Sequence, residues 1–166
     1  DPLNQELRMN YDNAGNMVSL TNQNNETSIL GYDASNRLAK ITDAANQKYS
    51  FSYDGMNNLL SLTDPLNNSM QFTYDKQSKL KKTTDKNGNE SQLERDANGN
   101  IVMATLPNGQ VYLYTYDQLN RMTEVSDNTG TIAKYTFDKN GNLSSYTDGN
   151  GGITTATYDN RNRITK

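Results

Sequence analysis

The stretch Lys48-Tyr49-Ser50-Phe51-Ser52-Tyr53-Asp54-Gly55-Met56-Asn57-Asn58-Leu59-Leu60-Ser61-Leu62-Thr63 decides the fold. Tyr49, Phe51 and Tyr53 alternate with Ser50 and Ser52, the period of a strand with one apolar face. Asp54-Gly55-Met56-Asn57 then reads as a turn. Asp accepts a hydrogen bond from the backbone two residues on, and Asn tolerates positive φ. Asn58–Thr63 reads as a second strand, with less regular alternation. A β-bulge, or a strand half-buried on both faces, accounts for that irregularity. The segment is a β-hairpin.

The hairpin recurs along the chain. Its aromatic-Asp pair stands at Tyr11-Asp12, Tyr32-Asp33, Tyr53-Asp54, Tyr74-Asp75, Tyr116-Asp117, Phe137-Asp138 and Tyr158-Asp159, and Arg95-Asp96 fills the one gap. Every interval is 21 residues. We number each repeat from the aromatic residue as position 1. Position 7 is apolar in all copies: Met17, Leu38, Leu59, Leu80, Ile101, Met122, Leu143 and Ile164. Position 5 reads Gly15, Asn36, Asn57, Ser78, Gly99, Asn120, Gly141, Asn162. Position 15 reads Asn4, Asn25, Asn46, Asn67, Gly88, Gly109, Gly130, Gly151. These sixteen residues should take positive φ, each closing a type I turn with a G1 bulge. Pro2, Pro65 and Pro107 all fall at position 13, where a fixed φ suits the turn. The sequence therefore predicts two turns and two short strands per repeat, and almost no helix.

A lone hairpin is marginal in water, so neighbours must pair. The expected fold is all-β: about eight 21-residue hairpins in a curved or spiralling antiparallel sheet. Residues 1–166 are expected to form a single array, with partial repeats at 1–10 and 158–166. On this reading the chain is a segment of a longer repeat protein.

Composition narrows the function. The 166 residues include no Cys, no His and no Trp. That excludes disulfides, thiolate zinc sites and the commonest general base. Sixteen Lys and Arg against nineteen Asp and Glu give a net charge of −3, which disfavours nucleic acid as a partner. No apolar run approaches the ~20 residues of a membrane-spanning helix, so membrane insertion is not expected. No cofactor is called for.

The two Asp rows invite a catalytic or calcium reading. The first is Asp12, Asp33, Asp54, Asp75, Asp96, Asp117, Asp138 and Asp159; the second is Asp43, Asp64, Asp85, Asp127 and Asp148. Each turn offers a single carboxylate, whereas calcium loops gather several oxygens. Turn capping is the stronger expectation. Position 6 alternates Asn16, Arg37, Asn58, Lys79, Asn100, Arg121, Asn142, Arg163, a 42-residue period. Its bases are expected to pair with a neighbouring Asp or stack on Tyr. The Tyr row (Tyr11, Tyr32, Tyr53, Tyr74, Tyr116, Tyr158) is expected to form a cross-strand aromatic ladder, with its hydroxyls at the sheet margin. Arg95 and the polar run Lys79–Glu94 break the pattern.

The aromatic-Asp pair at this spacing, followed by Gly-Asn-Leu or Asn-Arg-Leu, resembles the YD repeat of the Rhs/YD-repeat family. Gly141-Asn142-Leu143-Ser144-Ser145-Tyr146-Thr147-Asp148, running on to Ala156-Thr157-Tyr158-Asp159, carries the resemblance most closely. Arg95 for the aromatic and Leu106 for the turn Asp depart from it. Relatives include bacterial Rhs and wall-associated toxins, the C component of insecticidal toxin complexes, and teneurins. The resemblance implies a non-enzymatic, secreted or cell-surface protein: a spiral of hairpins forming a shell around a toxin domain. The other reading it offers is an extended fibre or stalk that contacts surface glycans. The partners implied are neighbouring repeats or self-assembled copies, an enclosed toxin domain, or glycans. Asp64-Pro65 and Asp1-Pro2 read as turn residues and do not match the family's self-cleavage context.

Overall fold

A computed structural model describes residues 6–166. The expectations for Asp1-Pro2 and Asn4 lie outside the described residues. The described chain is all-β, with fifteen strands and no helix. It divides into two compact units, residues up to Gly88 and Asn89–Lys166. The first unit holds β1 (Arg8–Tyr11), β2 (Met17–Thr21), β3 (Thr27–Tyr32), β4 (Leu38–Thr42), β5 (Lys48–Tyr53), β6 (Leu59–Thr63), β7 (Ser69–Tyr74) and β8 (Leu80–Thr84). The second holds β9 (Glu90–Arg95), β10 (Ile101–Thr105), β11 (Val111–Tyr116), β12 (Met122–Asp127), β13 (Gly130–Phe137), β14 (Leu143–Asp148) and β15 (Ile153–Thr155), followed by an isolated bridge between Tyr158 and Ile164. Within each unit every strand pairs antiparallel with the next in the chain.

The left-handed residues fall where the sequence puts them. All fifteen described residues at positions 5 and 15 have positive φ, from Asn162 at 57° to Gly130 at 132°. In a representative turn the Asp54 N–H donates to Asn58 O, and the Asn57 N–H donates back to Asp54 O. Position 6 therefore completes the turn, and the second strand begins at position 7 rather than 6.

A bulge explains the irregular second strand. Ser52 pairs with Ser61 and Tyr53 with Leu59, so Leu60 has no partner. The same slip recurs at Val18, Ala39, Lys81, Val102, Thr123 and Ser144. The extra residue at position 8 turns positions 7 and 10 onto one face, where strict alternation would separate them.

That face is apolar. Phe51 stands opposite Leu62, and Leu62 opposite Met70 on the other side. In the second unit Tyr114 faces Val125, and Val125 faces Ala133. The opposite face carries hydroxyl pairs such as Ser52–Ser61 at 2.6 Å and Thr115–Thr123 at 2.9 Å. Among the described residues only Ala104 and Ala133 are buried, at 8 % and 4 % exposure. The large apolar side chains are half-covered by their cross-strand neighbours.

One turn departs from the rule. Asp127 pairs directly with Gly130 and Ser126 with Thr131, a register slip between β12 and β13. At this turn the Thr129 N–H and hydroxyl both donate to Asp127 Oδ1, at 2.8 and 2.6 Å. Thr131 meanwhile donates its hydroxyl to Glu124 Oε1 at 2.6 Å.

The face assignment makes a paired prediction. Phe51→Ala should cost about 2 kcal/mol, less than the ~3–5 kcal/mol of a fully buried Phe. Phe51→Asp should abolish cooperative thermal unfolding followed by circular dichroism, while Ser52→Asp on the hydroxyl face should leave a folded array. A folded Phe51→Asp protein would reverse the assignment.

Candidate functional site

The recurring constellation is the turn at position 2. Asp54 Oδ1 accepts the N–H groups of Met56 and Asn58 at 2.8 and 2.9 Å, and Asp54 Oδ2 accepts Asn58 Nδ2 at 2.8 Å. Asp12, Asp33, Asp96, Asp117, Asp138 and Asp159 repeat this arrangement through Oδ1 and Oδ2. Asp75 takes the N–H groups of Gln77 and Lys79 in the same way. In Asp12, Asp33, Asp54, Asp96, Asp117, Asp138 and Asp159 both carboxylate oxygens are thus spent on the turn.

These hydrogen bonds stabilise the ionised form. The carboxyls of Asp12, Asp54, Asp96, Asp117, Asp138 and Asp159 are held below their ordinary value, chiefly by the side-chain donor at position 6. Asp33 is lowered first by the Arg37 backbone N–H.

Position 6 also reaches one hairpin onward. Asn16, Asn58, Asn100 and Asn142 each donate from Nδ2 to the position-5 side chain 20 residues later: Asn36, Ser78, Asn120 and Asn162. Arg37 makes the same link, Nη1 donating to Asn57 Oδ1 at 3.0 Å, and adds more. Its Nε donates to Asp33 Oδ2 at 2.7 Å and its Nη1 to Asp54 O at 2.7 Å, while Cζ lies 4.7 Å from the centre of the Tyr53 ring. Arg121 repeats this with Asp117 and the Phe137 ring, at 2.7 and 4.5 Å. The base pairs with Asp and stacks on the aromatic residue at once.

The Tyr row works through its hydroxyls. Tyr32, Tyr53, Tyr116 and Tyr158 donate to the carbonyls of Met17, Leu38, Ile101 and Leu143, 15 residues back, at 2.9–3.0 Å. The expected aromatic ladder is replaced by this hydroxyl-to-carbonyl clasp. The ring pair found in contact, Tyr135 and Tyr146 at 5.5 Å, sits one alternate position inward. Tyr11 lies on the exposed β1, where its hydroxyl donates to Met9 Sδ at 3.4 Å.

The turns at position 12 use the same chemistry. Asp43 and Asp64 each accept two turn amides through Oδ1. Asp148 does likewise with Asn150 and Gly152, and Asp85 accepts the Asn87 N–H. Asn22 replaces Asp and still accepts the N–H groups of Asn24 and Glu26. Leu106 cannot. There the Asn108 side chain takes over, with Oδ1 accepting the Gln110 N–H at 3.0 Å. Open grooves of about 310 and 360 Å³ lie beside these turns, at Asp64–Asp85 and Asn22–Asp43. Among the described residues no three His, Cys, Asp or Glu side chains gather to hold a metal.

Three segments, residues 32–69, 95–132 and 137–166, match the family RHS Repeat, and together they cover more than half of the chain. The chain belongs to the RHS Repeat family. Two of the matching segments open on a position-1 aromatic residue, Tyr32 or Phe137, and the third on Arg95. No curated protein sequence matches the chain. Among solved structures, the fold is similar to a chain of the Photorhabdus luminescens Tc holotoxin pore carrying a TccC3 mutation. That match has a TM-score of 0.72 and 18 % identity, over 96 % of this chain and 10 % of that one. The TcdB2–TccC3 crystal structure matches with a TM-score of 0.67 and 17 % identity, over 93 % of this chain and 11 % of that one. This RHS Repeat chain thus spans about a tenth of the length of those chains.

The Asp turns should make the array acid-labile. A carboxyl lowered in the folded state contributes stability that is fully present above its ordinary value of 3.8 and is lost as pH falls through the lowered native value. The melting temperature should therefore fall steeply with pH below 3.8, and Asp54→Ala should flatten part of that slope. Arg37→Ala should lower the melting temperature more than Arg163→Ala, because the Arg37 side chain is 22 % exposed and the Arg163 side chain 71 %. Equal melting temperatures for the two variants would remove the inter-hairpin role assigned to Arg37.

Proposed function

We propose that this chain is a non-enzymatic wall segment of an Rhs-type shell, part of a large secreted or cell-surface protein that encloses and delivers a toxin domain. Its aromatic and Asp rows then serve the architecture: they repeat one hairpin and fasten it to the next. The observation that carries the reading is the single-layered sheet with two unlike faces. A sheet with one apolar face and one hydroxyl-bearing face suits a boundary between a sheltered interior and water. The half-exposed Phe51, Leu62 and Phe72 would then face the interior, and the Ser and Thr pairs the solvent. Family membership and the fold shared with Tc proteins support this reading.

A second reading, a fibre or stalk that contacts glycans, draws on a different observation. Strands β3 to β8 contain Lys40, Lys48, Lys81 and Lys82 and no Asp or Glu. By contrast, β9 and β12 contain Glu90, Glu94, Glu124 and Asp127. An acidic polysaccharide would meet a favourable field on the first of these surfaces and an unfavourable one on the second.

Electron microscopy of the intact native protein separates the two. The proposal expects a closed hollow particle with density inside and these repeats in its wall. A long open tube or fibre would overturn it in favour of the stalk.

A further inference from the structure

Five Asn-Gly steps close turns in this chain: Asn87-Gly88, Asn98-Gly99, Asn108-Gly109, Asn140-Gly141 and Asn150-Gly151. All five are exposed, and in all five the Gly has positive φ and donates its N–H to the carbonyl three residues back, at 2.9–3.1 Å. They differ in what surrounds the Asn. In four, a carboxylate at the start of the turn (Asp85, Asp96, Asp138 or Asp148) accepts the Asn N–H. In the fifth that place belongs to Leu106, and the Asn108 Oδ1 itself accepts the Gln110 N–H at 3.0 Å.

We propose that Asn108 is the preferred site of spontaneous deamidation in this array. In that reaction the Gly109 nitrogen attacks Cγ of Asn108. A C–N bond forms, the side-chain amide leaves as ammonia carrying the glycine's proton, and a succinimide results. Water then opens either imide bond, giving aspartate or isoaspartate.

Two features favour the step at Asn108. The attacking glycine amide must lose its proton, and a neighbouring carboxylate opposes the resulting negative charge. Four turns carry that carboxylate and this one does not. Asp127 is reached only through the Gln110 side chain, whose Nε2 donates to Asp127 Oδ2 at 3.4 Å. In addition, charge develops on Oδ1 as the tetrahedral intermediate forms, and the Gln110 N–H already points at that oxygen. Pro107 fixes one backbone angle of the turn but leaves the Asn108 side chain and the Gly109 amide in place. Isoaspartate adds a methylene to the main chain inside a tight turn, so the modified hairpin loses its register.

The test is peptide mapping by mass spectrometry after incubating the folded protein at mildly alkaline pH and 37 °C. Asn108 should convert severalfold faster than Asn87, Asn98, Asn140 and Asn150, with both products present. Leu106→Asp restores the repeat's own turn residue at an exposed position and should slow Asn108 to the rate of the other four. Equal or slower conversion at Asn108 in the unmodified protein overturns the proposal, as does an unchanged rate in Leu106→Asp.

Discussion

The array depends on one carboxylate oxygen accepting two backbone N–H groups. Asp Oδ1 gathers the amides of the second and fourth residues after it, as Asp54 does with Met56 and Asn58. Those amides would otherwise point into the turn without a main-chain partner, and leaving them unmet is costly. Once they are held, the residue before the second amide must be left-handed, and Asn, Gly or Ser stands there every time. The turn then feeds the second strand with a bulge at position 8, and the bulge decides which side chains share the apolar face. Local turn chemistry thus fixes the amphipathic character of the sheet.

A single-layered sheet has little hydrophobic interior to rely on, and here nothing larger than Ala is buried among the described residues. Stability comes instead from fastening each hairpin to the next. At the position-2 edge this is done three ways: Asn to Asn or Ser, Arg to Asp with carbonyl and ring, and Tyr hydroxyl to main-chain carbonyl. Position 6, which alternates Asn with Arg or Lys, supplies two of these bridges. Asn spans the gap by donating to the next turn's position-5 side chain; Arg37 makes that link too, to Asn57 Oδ1, and adds a carbonyl and a ring. At the other edge the turns use the same side-chain-to-amide bonds, and open grooves lie between them.

Much of this is legible in the sequence because a repeat states each rule many times. Gly, Asn and Ser substitute for one another at positions 5 and 15, and the property they share is tolerance of positive φ. The pairing of Arg37 with Asp33 and its stacking on Tyr53 are legible because few partners stand within reach of a buried-stem guanidinium. Other features are not. Alternation along one strand cannot tell a bulge at Leu60 from two-sided burial, since both break the period in the same way. The Tyr53 hydroxyl finds the Leu38 carbonyl only through the three-dimensional stacking of hairpins. Asp127 has the same turn signature as Asp64, yet it pairs with Gly130 in another register, where the Thr129 hydroxyl donates to it.

Amide hydrogen exchange, resolved by residue, tests the central claim most directly. Loop amides at exposed turn tips ordinarily exchange fast. The account predicts that the N–H groups of Met56 and Asn58 are protected nearly as well as those of the adjoining strands, and that Asp54→Ala removes the protection at that turn while distant turns keep theirs. Unprotected turn amides in the unmodified protein, beside protected strands, would contradict it, because the carboxylate would then not be what holds the hairpins in shape.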